Sequence, residues 1–506
     1  MTGRRLITIT AAMMLSLFLA SIESTVVATA MPTIVSHLGG LSIYAWVFSA
    51  YMLASTTAVP IFGKLSDIYG RRPIYLIAMT IFLTGSILCA QAQSMPQLVL
   101  FRAVQGLGAG GLQPLAFTII GDIFTFEQRA KMQGVFSSVW GVSSVIGPVL
   151  GGFLVDRADW RWVFYLNIVP GLLAATLMIL AWRDVNPRSR GQVDFMGAGL
   201  MSAGVVSLLL AMFELNSGTG LNALAFLALL AVSAACLGLL LWVEKRALNP
   251  ILPLSLFRER LFSIATAHGF LSGFALFGSS SFVPFFVQSV LGTSATAAGA
   301  TLTPQLIAWV SASVIGSRLL LRIRYRSLAL VGMTCLVAGS AMMALEVSPV
   351  TPYWLLAINV AFMGVGMGLS VPAFLIVVQS SVPRQSLGTA TATVQFSRNI
   401  GGTIGVSVMG VVLALRLAAG LTGAGIDPNS VSLSGLIDPI SGGTAAVNLE
   451  PLRDSLAMAV QSVFVISLLA AIGAWIATFF APRGRLGSPQ RLERQAPVET
   501  PSVPAD

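Results

Sequence analysis

The sequence predicts an all-α integral membrane protein, and three observations carry that prediction. The 506-residue chain is 56% hydrophobic. Only 9% of its residues are charged, against roughly 25% in soluble domains. The mean hydropathy is +0.85, and long apolar stretches follow one another along the chain, most of them at about the 20 residues a helix needs to cross a bilayer. Such a chain meets its burial requirement with lipid. In lipid, a helix satisfies its backbone polar groups internally.

Fourteen stretches are long enough, and each has its own punctuation. The first, 6–35, opens after Arg4 and Arg5. A basic start before an apolar run imitates a secretory signal, but the run is long for one and many spans follow, so it is read as an uncleaved helix. The second and third, 43–63 and 73–92, flank a short polar connection from Gly63 to Arg72. The fourth, 97–120, holds Arg102 within its apolar run. The fifth, 132–155, contains Gly147-Pro148 and Gly151-Gly152, which are expected to break or bend it. The sixth, 162–182, and the pair 194–214 and 222–243 come next. The remaining six are 261–290, 297–321, 328–346, 353–380, 386–415 and 456–480. The stretches at 194–214 and 386–415 are rich in Gly, Ser or Thr, residues that let membrane helices pack closely. Residues 417–454 read as a long outside loop, and 481–506, with five prolines, as a disordered tail.

Charge tests the count. With the N-terminus in the cytoplasm and alternating loops, 23 of the 29 Lys and Arg fall on the cytoplasmic side. Four (Arg157, Arg161, Arg416, Arg453) fall outside, and Arg102 and Arg398 lie within spans. This asymmetry predicts a multi-pass protein of the cell's inner or plasma membrane with both termini cytoplasmic. The net charge of +10 therefore meets anionic membrane lipids, not nucleic acid. Cys89, Cys236 and Cys335 are an odd, widely spaced set, which argues against disulfides and zinc. His37 and His268 are too few and too far apart for a metal cluster.

A parallel repeat is visible at two connections. Gly63 to Arg72 places glycine and then basic residues after the second span, and Gly316-Ser317-Arg318 through Arg322, Arg324 and Arg326 does so after the tenth. Two six-helix halves with two interposed helices give fourteen spans. The expected organisation is a first bundle over 1–182, interposed helices and linkers over 183–260, a second bundle over 261–480, and the tail.

Several motifs, in order, carry a family resemblance. Gly63 to Arg72 is similar to the signature cytoplasmic loop of the major facilitator superfamily. Leu98-x3-Arg102-x2-Gln105-Gly106-x-Gly108 is similar to its fourth-helix motif, and Gly141-x5-Gly147-Pro148-x2-Gly151-Gly152 resembles the antiporter motif of the fifth. Ile22 to Pro32, Trp160 to Phe164 with Asn167 and Pro170-Gly171, and Pro284-Phe285-Phe286 with Gly292 and Gly299 resemble its fourteen-span drug:proton antiporter branch. The resemblance covers about 1–480. It implies the major facilitator fold, alternating access and export of drugs by proton exchange. Two departures stand out: the branch usually has Asp where this chain has Glu23, and Asn where it has Ala28.

Glu23 is the leading candidate for chemistry. A carboxylate at membrane depth is costly, by about 2.5 kcal/mol or more, and usually faces a protein interior or a watery cavity. Its plain alternative is an ion pair that only fixes packing. Arg102 is the natural counter-charge, with Gln105 one turn on; the resemblance implies a part for this arginine in proton coupling, the alternative being a structural strut. Asp67 among Gly63, Gly70, Arg71 and Arg72 suggests a conformational latch, if it is not simply part of a solvated charge run. Gly147, Pro148, Gly151 and Gly152 suggest a thin helix that closes one side of a cavity, if they are not merely a kink. Gly106-x-Gly108-x-x-Gly111 spells a dinucleotide fingerprint but lacks its strand and acid, so helix packing is the better account.

Candidate pocket residues are Gln105, Phe285, Gln288, Met363, Gln395 and Asn399, with Phe282 and Trp309 beside them; taken alone, each is more often lipid-facing or bundle core. Arg398 in a span needs a partner. The expected function is a monomeric, proton-coupled exporter of lipophilic small molecules. Protons are the coupling ion, and no other cofactor or metal is expected. No second acid lies in 302–320, which leans toward neutral or monocationic substrates. The alternatives are an exporter of one metabolite or lipid and, remotely, a membrane enzyme or sensor. The latter lacks a catalytic cluster: 417–454 offers Asp427, Asp438, Glu450 and Asp454 but no His or Cys.

Overall fold

The computed structural model describes residues 3–39, 43–182, 194–215, 223–247, 249–293, 295–423 and 449–483. Most of the expected outside loop (424–448) and tail (484–506), and part of the linker 183–193, lie outside the described residues. The first bundle contains α1 (Gly3–Leu38), α2 (Tyr44–Tyr69), α3 (Arg71–Ala90), α4 (Met95–Ile123), α5 (Phe126–Arg157), α6 (Trp162–Tyr165) and α7 (Ile168–Ala181). Next come α8 (Phe195–Leu215) and α9 (Ala223–Glu244). The second bundle contains α10 (Arg260–Ser289), α11 (Ala295–Ala300), α12 (Thr303–Leu319), α13 (Tyr325–Glu346), α14 (Tyr353–Ser381), α15 (Leu387–Gly423) and a last helix, α16 (Leu449–Phe479).

Thirteen spans among the described residues are long and apolar enough to cross a membrane. The fourteenth crossing, α5, has 32 residues. Its first turns carry Gln128, Arg129, Lys131 and Gln133 and its middle several serines, which dilute its apolar character.

Four expectations need correction. The sixth stretch is two helices, separated at Leu166-Asn167, and the tenth is two, separated at Thr301-Leu302 before Pro304 in the first turn of α12. Proline suits that position, where its missing N–H is not needed. α5 is not broken at its glycines. α15 continues to Gly423 and α16 begins at Leu449, so both ends of the expected loop 417–454 are helical.

Local chemistry sets the boundaries. Gly70 separates α2 from α3 by a single residue, with φ of 98° and ψ of 158°, a region essentially open to glycine alone. Thr125 and Gln128 form a reciprocal cap at the start of α5, with Thr125 N donating to Gln128 Oε1 at 3.0 Å.

The two bundles repeat one packing plan. α4 packs on α2 and α3 as α14 packs on α12 and α13, and α1 packs on α5 and α7 as α10 packs on α15 and α16. Small residues set the register. Gly106 and Gly110 lie on the carbonyls of Tyr51 and Ser55, while Gly364 and Gly368 lie on those of Gln305 and Trp309. Gly85 abuts Gln105 as Gly339 abuts Met363. Gly147 and Gly151 lie on Thr25 and Thr29, and Gly401 and Gly405 lie on Phe270 and Phe274. Pro114 in α4 and Pro372 in α14 obey the same register. The two halves therefore align residue by residue: Glu23 with His268, Arg102 with Val360, Gln105 with Met363, and Asp67 with Leu321. α8 and α9 pack on each other, and Met201, Val205 and Leu209 rest against Leu53, Ile61 and Ile400 of α2 and α15.

Candidate functional site

Glu23 lies two residues before Thr25, where Gly147 brings α5 against α1 with no room for a side chain. The carboxylate is 1% exposed, as is the Arg102 side chain. Arg102 Nη1 donates to Glu23 Oε1, and Asn167 Nδ2 donates to Glu23 Oε2 at 2.5 Å. Asn167 stands at the interruption between α6 and α7.

The remaining bonds form a ring over four helices. Arg102 Nη1 also donates to Gln105 Oε1 at 2.7 Å, Gln105 Nε2 donates to Ser86 Oγ at 2.7 Å, and Asn167 Nδ2 reaches Ser86 Oγ at 3.3 Å. Arg102 Nε donates to the Val47 carbonyl at 3.2 Å, and its guanidinium lies 4.2 Å from the centre of the Tyr51 ring. Both carboxylate oxygens thus have donors, and the arginine has three partners besides the acid. Breaking one partner of a buried ion pair costs about 3–5 kcal/mol, because the other charge is stranded. This arginine is only partly stranded when the acid is neutral.

A second cluster ties the bundles together at the end where α2 stops and α15 starts. Gly63 and Gly388 face each other there, each leaving no space for a Cβ on the other's side. That approach lets Asp67 reach the start of α15. Its Oδ1 accepts from Gly388 N at 2.9 Å, and its Oδ2 from Thr389 N at 2.7 Å and Thr389 Oγ1 at 2.6 Å. These N–H groups have no partners within their own helix, and a carboxylate there also gains from the helix dipole, up to about 2 kcal/mol when partly buried. Arg71 Nη1 donates to Asp67 Oδ1 at 2.6 Å and to Ser66 Oγ at 2.8 Å, while Nε donates to Asp122 Oδ2 at 2.8 Å. Arg72 turns elsewhere, donating to the Ile179 carbonyl at 2.9 Å. Three more bonds cross between the bundles: Arg71 Nη2 to the Arg384 carbonyl at 3.5 Å, Gln379 Nε2 to the Phe117 carbonyl at 3.1 Å, and one between the Ser137 and Ser313 hydroxyls at 2.7 Å.

In the antiporter motif, Gly147 and Gly151 are packing glycines against Thr25 and Thr29. A Cβ at Gly152 would meet no neighbouring helix within 4 Å. Pro148 lies inside α5.

The candidate pocket residues are not brought together. Gln105 belongs to the Glu23 ring. Met363 is 1% exposed within the apolar core of the second bundle. Phe270 packs on Gly401, so Phe285 and Gln288 on α10 lie about 30 Å beyond Gln395 along the helix axis. Gln395 is buried and Asn399 half-buried on α15.

Sequence reasoning missed Asn167 as a ligand of Glu23, together with Ser86, Tyr51, Asp122 and Thr389. Asn167 is the most legible of these, a lone amide in an apolar stretch between Trp160-Arg161-Trp162 and Pro170-Gly171. Asp122 too had a signal, as the acid closing the fourth apolar run. Ser86 had none, because serines recur throughout the spans. Among the described residues, no group of three or more His, Cys, Asp or Glu is placed to hold a metal ion.

Comparison with known proteins bears on this arrangement. The family model described as Major Facilitator Superfamily matches residues 13–406. The chain is 39% identical over 407 residues to the multidrug transporter protein MdtP of Bacillus subtilis, covering 80% of this chain and 74% of the relative. It is 33% identical over 500 residues to multidrug resistance protein 3 of the same organism, covering 96% of each. Among solved structures, the human organic anion transporter MFSD10 aligns with a TM-score of 0.62 over 93% of this chain and 100% of that one. At 14% identity that likeness shows the fold alone.

Proposed function

The chain belongs to the Major Facilitator Superfamily, and on that premise we propose that it is a proton-coupled exporter of lipophilic small molecules working by alternating access. The family is one of transporters, and the chain is a multi-pass membrane protein. Efflux is supported by the two Bacillus subtilis relatives, both named for multidrug transport or resistance. Proton coupling rests on one observation: the buried Glu23 carboxylate, held by Arg102 and Asn167 in a ring of exchangeable hydrogen bonds.

In this reading Glu23 alternates between carboxylate and neutral acid. The carboxylate holds Arg102 and, through Asn167, the start of α7. Once protonated, it releases both. Arg102 then keeps Gln105, the Val47 carbonyl and the Tyr51 ring, neutral partners that solvate part of its charge without the acid. The ring thus has two arrangements, one with the Glu23 carboxylate and one with the neutral acid, which is what a two-state coupling element requires. Thr25 and Thr29 carry any shift of α1 to α5 through Gly147 and Gly151, and α5 crosses to α12 at Ser137 and Ser313. The Asp67 cluster holds one end of the bundles together in one of the two states. The charge asymmetry of the loops supports a reading in which that end, with both termini, lies on the cytoplasmic side of the cell's inner or plasma membrane. One chain holds both bundles, so a monomer suffices.

The test is transport in proteoliposomes with an imposed pH difference and a panel of lipophilic dyes. Glu23→Gln keeps the shape and removes the titration. It is expected to bind dye but not to accumulate it against a gradient, whereas Glu23→Asp retains part of the activity. Uphill accumulation by Glu23→Gln driven by the pH difference alone would remove Glu23 from the coupling role.

A further inference from the structure

The second bundle holds a cation that this reading does not use. Arg398 lies on α15, its Cγ 3.0 Å from where a Cβ on Gly273 of α10 would stand. Gly269, next to His268, lines the same stretch of Arg398 and Val394. Arg398 Nη2 donates to Gln395 Oε1 at 3.3 Å. The His268 ring packs on Phe374 with centroids 4.5 Å apart. His268 is 2% exposed and Gln395 3%.

These side chains are under-satisfied. Arg398 Nε, Gln395 Nε2 and His268 Nε2 are buried without a hydrogen-bond partner. The first two can only donate. Among the described residues Arg398 makes no ion pair, whereas Arg71 and Arg102 each have a carboxylate. Arg398 stands about 16 Å along α15 from its start at the Asp67 cluster, near the middle of a bilayer core about 30 Å thick. An uncompensated charge at that depth is costly, and such groups mark substrate pathways. Unpaired donors beside a fixed cation call for an acceptor with negative charge, and a guanidinium pairs most strongly with an oxyanion. A phospholipid headgroup stays at the interface, but a lipophilic acid can carry its carboxylate to this depth inside a transport cavity.

We propose that Arg398, with Gln395 and His268, binds the carboxylate of a lipophilic organic acid that the protein exports. This rests on the export reading and names its substrate class. It replaces the lean toward neutral or monocationic substrates, which rested only on a missing acid in 302–320.

The experiment compares dansylglycine with dansylglycinamide, the same fluorophore with and without the carboxylate. Binding to the purified full chain is read by fluorescence titration in detergent. Wild type should prefer the acid by about tenfold or more. Arg398→Gln should erase that preference, and Arg398→Lys should keep part of it. A purely structural role for Arg398 would lower both affinities and leave their ratio unchanged. If Arg398→Gln does not fold, Gln395→Leu keeps the charge, removes one donor and should reduce the ratio. An acid-to-amide ratio near one in wild type, or an unchanged ratio in the variants, overturns the site. Gradient-driven export of both probes is measured in parallel. A ratio of one with the amide still exported rejects the anion site and leaves the export reading. An acid preference without export of either probe does the reverse.

Discussion

The two bundles share a frame and differ in what they place on it. Glycines at matched positions seat α4 on α2 and α14 on α12 at the same register. Inside that frame, the first bundle has Glu23, Arg102 and Gln105 where the second has His268, Val360 and Met363. At the end of the frame, the first has Asp67 and Arg71 where the second has Leu321 and Tyr325. Tyr325 bonds within its own bundle, to the Pro482 carbonyl at 2.6 Å, whereas Asp67 reaches across to α15. Close packing of small residues thus specifies the fold twice over, and a handful of polar substitutions gives one copy the buried carboxylate ring that the other lacks.

The largest difference between the copies is expected at Arg102 and its counterpart. Arg102→Met leaves the Glu23 carboxylate buried without its cation, at a cost of about 3–5 kcal/mol. Val360→Met at the matched position changes only apolar volume, for about 1–3 kcal/mol at most. Adding Glu23→Gln to Arg102→Met should recover most of the lost stability, because no charge is then stranded, but not transport. Thermal unfolding of the purified proteins in detergent measures this. Absence of recovery in the double variant would mean that the arginine stabilises through packing instead of charge.

Where the frame is shared, the copies should respond alike. A Cβ at Gly106 would strike the Tyr51 carbonyl, and one at Gly364 the Gln305 carbonyl. Gly106→Val and Gly364→Val should each cost about 1–3 kcal/mol. Markedly unequal losses in the same unfolding assay would show that the repeat in packing is not a repeat in energy.

Much of the frame was legible because lipid makes composition informative. Apolar stretches announced the spans, and Glu23 and Arg102 stood out as charges inside them; the structure pairs the two. What stayed illegible was placed by contacts distant in sequence or written in common residues. Asn167 donates to an acid 144 positions away, and no local pattern reports that. Asp67 was conspicuous in its loop, yet its acceptors' partners at Gly388 and Thr389 lie 321 and 322 positions on. The interruption at Leu166-Asn167 carries no proline or glycine, so hydropathy reads straight through it. α5 was expected to break or bend at its glycines; it runs through them unbroken, and two of them let it pass close along α1.

The Asp67 cluster offers a smaller test of the same asymmetry. Asp67→Asn weakens a fastening that the second bundle lacks at Leu321. A loss of about 1 kcal/mol changes the ratio of two states about fivefold. Paired spin labels at the ends of α2 and α14 should therefore report a wider distance distribution, and transport should fall. Leu321→Asn should leave the distribution as in wild type. Identical distributions in wild type and Asp67→Asn, with transport lost, would make Asp67 a folding residue rather than a latch.

The smallest expected effect isolates the fallback partners of Arg102. The guanidinium lies over the Tyr51 ring, and what holds it is the face of the ring, not the phenolic oxygen. A cation–π contact is worth about 0.5–2 kcal/mol and survives loss of the hydroxyl. Tyr51→Phe should transport within about twofold of wild type, whereas Tyr51→Leu should lose several-fold, consistent with a contact of that size. The matched residue in the second bundle, Gln305, bonds instead to Ser280, with Nε2 to Oγ at 2.8 Å, so no cation rests on it. If Tyr51→Phe transported as poorly as Tyr51→Leu, the hydroxyl would be a member of the proton ring, and the neutral-acid state would need it as a further partner.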